Sequence, residues 1–369
     1  MNATDGDDRW VSTQTTTIPG QTISPFDDYL FTTLLFIIHY ILDPCVLCLG
    51  LFGNILAFLV LLQPQYRNQT TCLYMRILAV FDTSIIVLKN IPRTFLMWYP
   101  EFFISIGKYF CPPYWFFSAN FYGISNWVVL CMTVDKFIAV CFPLKAATWC
   151  TKRRAKISAV LILLMFIGFN APNLFTRPNI EGIRTRLGRA TCKFLEEYIP
   201  YPAAYTDVRF FVFSFWSLGI PLSGVVILNL FIVTSVAKRK KNQEKMGVQK
   251  NDSSNQAMVL LFIVTGVFVA TNLPWIVDNY VWRYLLYLIT GRNTSNDFWL
   301  KRLRPVVYEW VLFLVFANSS INFYIYCLGC RKFRKDLVTM FRNGFNAGKG
   351  DRKDSGTTSK SEVIMKTKY

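Results

Sequence analysis

The sequence predicts an all-α membrane protein: a seven-transmembrane helix bundle followed by a short amphipathic eighth helix. Three observations predict this fold. The 369-residue chain is 53% hydrophobic and only 17% charged, whereas about 25% of the residues of a typical soluble domain are charged. Its apolar residues fall into seven runs, each long enough to cross a bilayer as a helix. Its basic residues cluster in segments 145–156, 238–250 and 331–368, each next to an apolar run, which is the positive-inside pattern of cytosolic segments.

The net charge of +18 is typical both of nucleic-acid-binding domains and of membrane proteins with basic cytosolic segments. The positions of the charges separate these two classes. No soluble basic domain lies between the clusters, so we predict that the protein binds no nucleic acid. The only histidine, His39, falls inside an apolar run, which excludes a histidine-based catalytic triad and a polyhistidine metal site. We therefore expect a protein that is not an enzyme and requires no cofactor.

The two ends of the chain predict tails on opposite sides of the membrane. Residues 1–30 are polar and acidic, without the basic start and apolar core of a signal peptide. They predict a disordered extracellular tail with a glycosylation sequon at Asn2. Residues 31–342 are predicted to form the seven-helix domain together with the eighth helix. Residues 343–369 are polar, contain several Ser and Thr residues, and predict a disordered cytoplasmic tail.

Polar residues inside the apolar runs predict which helix faces point into the bundle. A polar side chain in mid-membrane is costly against lipid, so Asn54 and Asp82 should face the interior. Lys89 follows Asp82 by seven residues, close to two helical turns, and should share that face. The basic amphipathic segment that begins at Arg331 predicts a short helix in contact with lipid at the inner membrane surface. The seven spanning helices are predicted over residues 31–62, 71–99, 111–140, 153–174, 205–236, 256–289 and 303–328.

The ten cysteines predict one disulfide rather than a metal site. Two pairs have C-x-x-C spacing, but Cys45 lies in the outer half of the first helix and Cys330 at the cytosolic end of the seventh, so the pairs cannot share one ion. Most thiols are expected to lie in or near helices. Only Cys111 and Cys192 fall on the outside, where a disulfide persists. A further glycosylation sequon, at Asn293, lies in the outer segment between the sixth and seventh helices.

The end of the third predicted helix resembles that of rhodopsin-like G-protein-coupled receptors. The run Asp135-Lys136-Phe137 is followed by Ile-Ala-Val and Pro-Leu, where the family has Asp/Glu-Arg-Tyr before a similar run. Residues 140–146 with 149–151 look most like invertebrate neuropeptide receptors, including the FMRFamide-receptor-like group. The resemblance extends over residues 31–342. The positions that match in order and spacing are Asn54, Asp82, Cys111, Asp135, Cys192, Pro221, Phe268, Pro274, Asn322, Tyr326 and Phe333.

The chain departs from the family pattern at several positions linked to activation. Lys136 replaces the family's Arg, and Phe137 replaces its Tyr. In the sixth helix Thr-Asn-Leu-Pro, ending at Pro274, replaces Cys-Trp-x-Pro, so Trp275 falls one place after the proline. In the seventh helix Phe323 stands in the place of the family's proline. These changes leave the fold prediction intact and make the activation mechanism a question for the structure.

The resemblance, with the charges and aromatic residues near the outer helix ends, implies three groups of site residues. The predicted ligand-binding residues are Lys89, Arg93, Ser118, Tyr122, Arg209, Trp275, Asp278, Asn279, Tyr308 and Glu309. Those for G-protein coupling and activation are Asp135, Lys136, Phe137, Phe268, Asn272, Pro274, Asn322 and Tyr326. Those that hold an allosteric sodium ion are Asp82, Ser125, Asn318, Ser319 and Asn322.

The function that the resemblance implies is a plasma-membrane receptor with an extracellular N-terminus. Its partners are expected to be an extracellular ligand, a heterotrimeric G protein, and arrestin at a phosphorylated tail. Ser118 stands where amine receptors have an Asp, and Phe316 where opsins have the retinal Lys, so we favour a peptide ligand. Lys89 predicts an anchor for an acidic peptide, unless it forms an internal salt bridge with Glu309. An amidated basic peptide would instead use Asp278 or Glu309. Two alternatives stay open: a decoy receptor without G-protein coupling, and a membrane transporter.

Overall fold

The structure, a computed structural model, describes residues 25–92, 100–176, 208–209, 211–245, 252–282 and 298–350. These residues are helical apart from short turns, and no strand occurs among them. Seven of the helices are long and apolar enough to cross a membrane, which confirms the predicted seven-helix bundle. In chain order, helices one to seven span Tyr29–Leu61, Thr70–Asn90, Pro112–Cys141, Lys152–Phe175, Phe211–Arg239, Phe262–Tyr280 and Val306–Gly329.

Several helices extend beyond their membrane spans and past the predicted ends, and three of these extensions are at the first, third and last helices. The first helix begins at Pro25, inside the predicted disordered tail. The third helix covers Pro100–Cys141 and therefore begins before the predicted start at residue 111. Both start at a proline, which is favoured at the first helical position because it has no N–H to leave unsatisfied. A further helix, Arg331–Gly350, follows a break at Cys330 and runs past the predicted end at 342, in a stretch that contains no proline.

Prolines explain three of the four π-helical segments in the described residues. Pro44, Pro92 and Pro221 each lie two residues after such a segment. A proline inside a helix cannot donate to the carbonyl four residues earlier, and its ring clashes with that carbonyl. Just before each proline the backbone N–H bonds the carbonyl five residues back, which inserts one extra residue into the turn. The segments are Ile37–Leu42, Ile86–Asn90 and Phe215–Gly219; the fourth, Val277–Trp282, follows Pro274 instead.

Helix three satisfies the carbonyls that the π-helical segment of helix five exposes. The carbonyl of Ser217 lies four residues before Pro221 and accepts a hydrogen bond from Asn126 Nδ2 at 3.1 Å. The next residue of helix three, Trp127, donates its indole N–H to the carbonyl of Trp216 at 2.9 Å, and the two indole rings lie 5.4 Å apart. Lipid offers no substitute donor, so these bonds fix helix five against helix three.

Helices three and four make a close contact at Gly123. A Cβ atom at this position would overlap the ring of Phe166, which is fully buried. Small residues at a helix interface let the two backbones approach closely when there is no hydrophobic driving force between them. Gly123 therefore provides the space into which the largest side chain of the interface fits.

The last helix, Arg331–Gly350, is fastened to the bundle by one aromatic residue and one carboxylate. Phe333 is buried, with its ring 6.0 Å from that of Phe323 and 5.8 Å from that of Tyr326 in helix seven. Asp336 accepts a 2.6 Å hydrogen bond from the hydroxyl of Tyr66, in the turn after helix one. Burial and the Asp336 carboxylate raise the pKa of Tyr66 above its ordinary value, so the phenol stays a proton donor.

The contact between helices three and four can be tested with two glycines. Gly123→Ala should lower the free energy of unfolding by about 1–3 kcal/mol, because the added methyl group overlaps the Phe166 ring. Gly168 in helix four has no atom within 4 Å of an added Cβ, so Gly168→Ala is the matched control and should keep or slightly raise the stability. Thermal unfolding of the purified protein in detergent measures both. Equal loss in the two variants would contradict the close contact.

Candidate functional site

Residues predicted to hold a sodium ion meet at Asp82 in helix two. The Asp82 side chain is fully buried. Its Oδ1 accepts a hydrogen bond of 2.7 Å from the hydroxyl of Ser125 in helix three. Its Oδ2 accepts one of 2.8 Å from the amide of Asn322 in helix seven. Three helices thus share a single carboxylate in the middle of the membrane.

Two neighbouring links bring helices one and six to the same level. Asn54 in helix one donates to the backbone carbonyl of Ser319 at 2.9 Å. Asn318 turns its amide oxygen to helix six, where it accepts a 3.1 Å bond from the hydroxyl of Thr271. Among the predicted sodium ligands, then, the structure brings Ser125, Ser319 and Asn322 onto Asp82, whereas Asn318 contacts Thr271.

The charge of Asp82 must be compensated. Among the described residues no Lys, Arg or His forms an ion pair with it, and both of its oxygens accept bonds from neutral groups. A bare carboxylate in this setting is costly, so the group is either protonated or beside a bound cation. The oxygen atoms at this site are those of the Asp82 carboxylate and of neighbouring serine hydroxyls, which are ligand atoms that hard cations take. The residues present therefore fit a sodium ion.

Above this level, helices three and six bring aromatic and polar residues together. The rings of Tyr122 and Trp275 lie 6.4 Å apart. Asn279 donates to the carbonyl of Trp275 at 2.8 Å, and Asp278 beside it is buried. Ser118 is also buried and donates to a carbonyl of its own helix at 3.4 Å. These five predicted ligand-site residues lie on helices three and six above the level of Asp82, and the Tyr122–Trp275 contact joins the two helices there.

Lys89 and Glu309 lie in different surroundings. The Nζ of Lys89 lies 4.7 Å from the ring centroids of both Tyr114 and Trp115, a cation–π geometry. Glu309 in helix seven is buried, with Oε2 3.8 Å from Nε2 of His39 in helix one.

The imidazole of His39 is held between two acids. Its Nδ1 lies 3.1 Å from Oδ2 of Asp43, on the side opposite Glu309, and all three side chains are buried. Sequence reasoning placed His39 in a span but assigned it no partner. A histidine and an aspartate four residues apart on a helix were the available signal.

The remaining predicted ligand-site residues fall elsewhere. Arg209 contacts the end of helix four, where its Nη2 donates to the carbonyl of Phe169 and to Oδ1 of Asn173, both at 3.3 Å. Tyr308 is 42% exposed, unlike its buried neighbour Glu309. Several predicted features lie outside the residues whose side chains the structure describes: Arg93, the Cys111–Cys192 disulfide, and the sequons at Asn2 and Asn293.

At the end of helix three that the sequence predicts to be cytosolic, Asp135 is bound to helix two rather than to its neighbour in sequence. Its carboxylate accepts a hydrogen bond from the hydroxyl of Thr70, and its backbone carbonyl accepts one from the thiol of Cys150 at 3.5 Å. No ion pair joins it to Lys136 among the described residues. The ring of Phe137 packs 6.1 Å from that of Phe231, which links helix three to helix five.

The predicted activation residues of helices six and seven are buried. Phe268 is 1% exposed and lies in the main core. Asn272 donates to the carbonyl of Phe268 at 2.9 Å, one turn below Trp275. Pro274 lies inside helix six, and Tyr326 is buried against Phe333.

The sequence analysis missed the polar residues of helices three and four. Asn126, Asn120 and Asn170 are all buried, and each bonds a carbonyl or another amide. The signal was available, because an amide inside an apolar run must find a partner within the bundle. These asparagines are not among the positions that match the family pattern, on which the predicted site residues were based.

Comparison with known proteins agrees with the architecture. Residues 53–326 match the sequence profile described as 7 transmembrane receptor (rhodopsin family). The chain is 24% identical over 310 residues to the FMRFamide peptide receptor frpr-18 of Caenorhabditis elegans, covering 81% of this chain and 68% of that one. It is 25% identical over 315 residues to the FMRFamide receptor of Drosophila melanogaster, covering 79% of this chain but only 52% of that one. It is 23% identical over 329 residues to trace amine-associated receptor 9 of Homo sapiens, covering 84% and 85% of the two chains.

The matching profile covers well over half of the chain and contains the Asp82 centre, the Tyr122–Trp275 contact and Asp135. The seven apolar helices make the protein a multi-pass membrane protein. The chain therefore belongs to the rhodopsin family of seven-transmembrane receptors.

Proposed function

We propose that this receptor lies in the plasma membrane with its N-terminus outside, binds an extracellular peptide, and activates heterotrimeric G proteins. One observation carries the proposal: side chains from five helices converge on the level of Asp82, between the Tyr122–Trp275 contact and the cytosolic end at Asp135. A ligand that changes the packing of helices three and six acts on the same polar cluster that holds helix seven. Such a shared element is what a two-state receptor needs to couple its two ends.

The charges of the outer half favour a basic peptide. Among the residues whose side chains the structure describes there, the acids are Asp43, Asp278 and Glu309 and the cations are Lys89 and Arg209, and Arg209 is directed to helix four. The similarity to two FMRFamide receptors points to peptides, although an amine receptor is also similar. An amine needs a carboxylate as counter-ion, and helix three offers Ser118 at the position where amine receptors carry one.

The cytosolic face supports G-protein binding. Beyond Asp135, the short helix Pro143–Trp149 projects Leu144, which is 94% exposed, and Trp149, which is 52% exposed. Apolar side chains on an otherwise basic cytosolic segment mark a protein-binding surface. The tail residues proposed to bind arrestin lie outside the described residues.

The proposal is tested by expressing the receptor in cells and recording G-protein activation against a library of peptides and amines. We expect a peptide with a basic group to activate it. Flux of a solute through the purified protein in liposomes, without G-protein activation, would instead identify a transporter.

Once an agonist is found, three substitutions locate its charged anchor. Asp278→Asn and Glu309→Gln should each reduce the potency of a basic peptide by about tenfold or more, because a lost charge pair costs at least 1.4 kcal/mol. Lys89→Ala should change potency less. Potency is compared at equal surface expression. Loss of potency in Lys89→Ala alone would identify an acidic ligand, and no change in any variant would contradict this description of the cavity.

Asp82 is expected to bind a sodium ion together with Ser125, Ser319 and Asn322, which supplies a positive charge that stabilises the inactive state. Agonist affinity should then fall as sodium replaces potassium at constant ionic strength. Asp82→Asn should abolish this dependence, since the neutral amide gives a cation no charge. A matched substitution is Asn229→Ala, which removes an amide bonded only within helix five and should keep the sodium effect. Sodium-independent affinity in the wild type would refute the ion site.

Lys136 should support coupling with a raised basal activity. It makes no ion pair with Asp135, and its ammonium lacks the planar five-donor fork of an arginine. Lys136→Arg should therefore lower ligand-independent nucleotide exchange on the G protein, while agonist affinity stays the same. If the wild type binds an agonist but gives no G-protein response, and Lys136→Arg restores one, the natural protein is a decoy receptor.

A further inference from the structure

Four polar side chains form one hydrogen-bonded chain through helices five, four and three. The guanidinium of Arg209 donates to Oδ1 of Asn173 at 3.3 Å. The amide nitrogen of Asn173 donates to Oδ1 of Asn170 at 3.4 Å, and that of Asn170 to Oδ1 of Asn120 at 3.5 Å. Asn120 then donates to the backbone carbonyl of Phe116 at 2.7 Å. The chain thus starts at a cation near the outer end of helix five and ends on the backbone of helix three.

All links of this chain point in the same direction. Each asparagine accepts through its oxygen and donates through its nitrogen, so each hydrogen bond polarises the next. The guanidinium also donates to the carbonyl of Phe169, in the last turn of helix four, where a cation is favoured by the helix dipole. Removing any member therefore leaves an amide in the interior without one of its partners.

Because its members are buried, the hydrogen-bonded chain favours this one arrangement of the three helices. Asn120, Asn170 and Asn173 are 2%, 0% and 6% exposed, where an unsatisfied amide is costly. Apolar residues of similar size would fill the same space without that risk. One turn below Asn170, the ring of Phe166 packs directly on Gly123 of helix three. Helices three and four are therefore held at a short distance at the level where their asparagines meet.

We propose that the chain Arg209–Asn173–Asn170–Asn120 is a positioning device that makes the outer end of helix five and the ligand-facing part of helix three move as one unit. Asn120 lies two residues from Tyr122 and two from Ser118. Displacing Arg209 from helix four breaks the first link and changes the hydrogen bonding of helix three at this level. The proposal is independent of G-protein coupling, because it concerns the receptor alone.

A double-mutant cycle between the two ends of the chain tests the proposal. Arg209 and Asn120 make no described contact with each other. If the hydrogen-bonded chain did not couple them, the effects of Arg209→Gln and Asn120→Ala on the thermal unfolding midpoint should add. If the hydrogen-bonded chain couples them, each single variant lowers the unfolding midpoint by several degrees. The double variant then has a midpoint only slightly below that of the single variants. The non-additivity should vanish in an Asn170→Ala background. Asn170→Leu keeps the volume and replaces Asn170→Ala if that variant is not recovered.

The matched control pairs Arg209→Gln with Asn229→Ala. Asn229 is another asparagine within the membrane, but it donates only to a carbonyl of its own helix. This pair should be additive. Additivity between Arg209→Gln and Asn120→Ala in the otherwise unaltered full-length receptor would overturn the proposal.

A second measurement separates positioning from general stabilisation. Ser118→Cys places a thiol at a buried position of helix three, and its rate of modification by a small thiol reagent can be followed by mass spectrometry of that peptide. Adding Arg209→Gln should raise this rate several-fold at a temperature far below unfolding, whereas adding Asn229→Ala should not. An unchanged rate in the Arg209→Gln background would show that the arginine only stabilises helix four.

Discussion

The structure depends on one constraint: inside the membrane, each polar group must find its partner within the protein. The clearest case is Asp82, whose carboxylate organises helices two, three and seven through Ser125 and Asn322. The same constraint acts on backbone groups. Because Pro221 cannot donate to the carbonyl of Ser217, that carbonyl recruits Asn126 from helix three. Polar side chains and proline kinks therefore set which helices are fastened together, and the apolar residues fill the space between them.

These hydrogen bonds and packing contacts are distributed unevenly among the helices. Helices three, four and five are joined by amides, by the two indoles of Trp127 and Trp216, and by Phe166 against Gly123. Among the described residues, helix six bonds helix seven through the hydroxyl of Thr271 and the start of helix five through the hydroxyl of Tyr280.

The sequence was sufficient to predict what depends on composition and on single costly residues. The seven spans follow from the lengths of the apolar runs, and the inward-facing Asp82 follows from the cost of a polar group in lipid. Its partners Ser125 and Asn322 were implied by the resemblance to the receptor family. The contact of Arg209 with helix four was not predicted, because a charge near a helix end is equally compatible with a ligand cavity and with the carbonyls of a neighbouring helix. The choice between them depends on the ends of helix four, which spacing alone does not determine. The partners of His39 were missed because they are set by how helix seven packs on helix one.

The π-helical segment Ile86–Asn90 lies at the end of helix two, just before Pro92. It carries one residue more than the regular helical turn, so removing a single residue there would rotate the residues that follow it by about 100° while Asp82 stayed in place. Helices one and five carry such a segment at a comparable place before a proline. Insertions and deletions of one residue can therefore re-face the outer half of the bundle without disturbing the inner half. A one-residue change in such a segment therefore alters which side chains at one end of a helix face the bundle and leaves the rest of that helix in register.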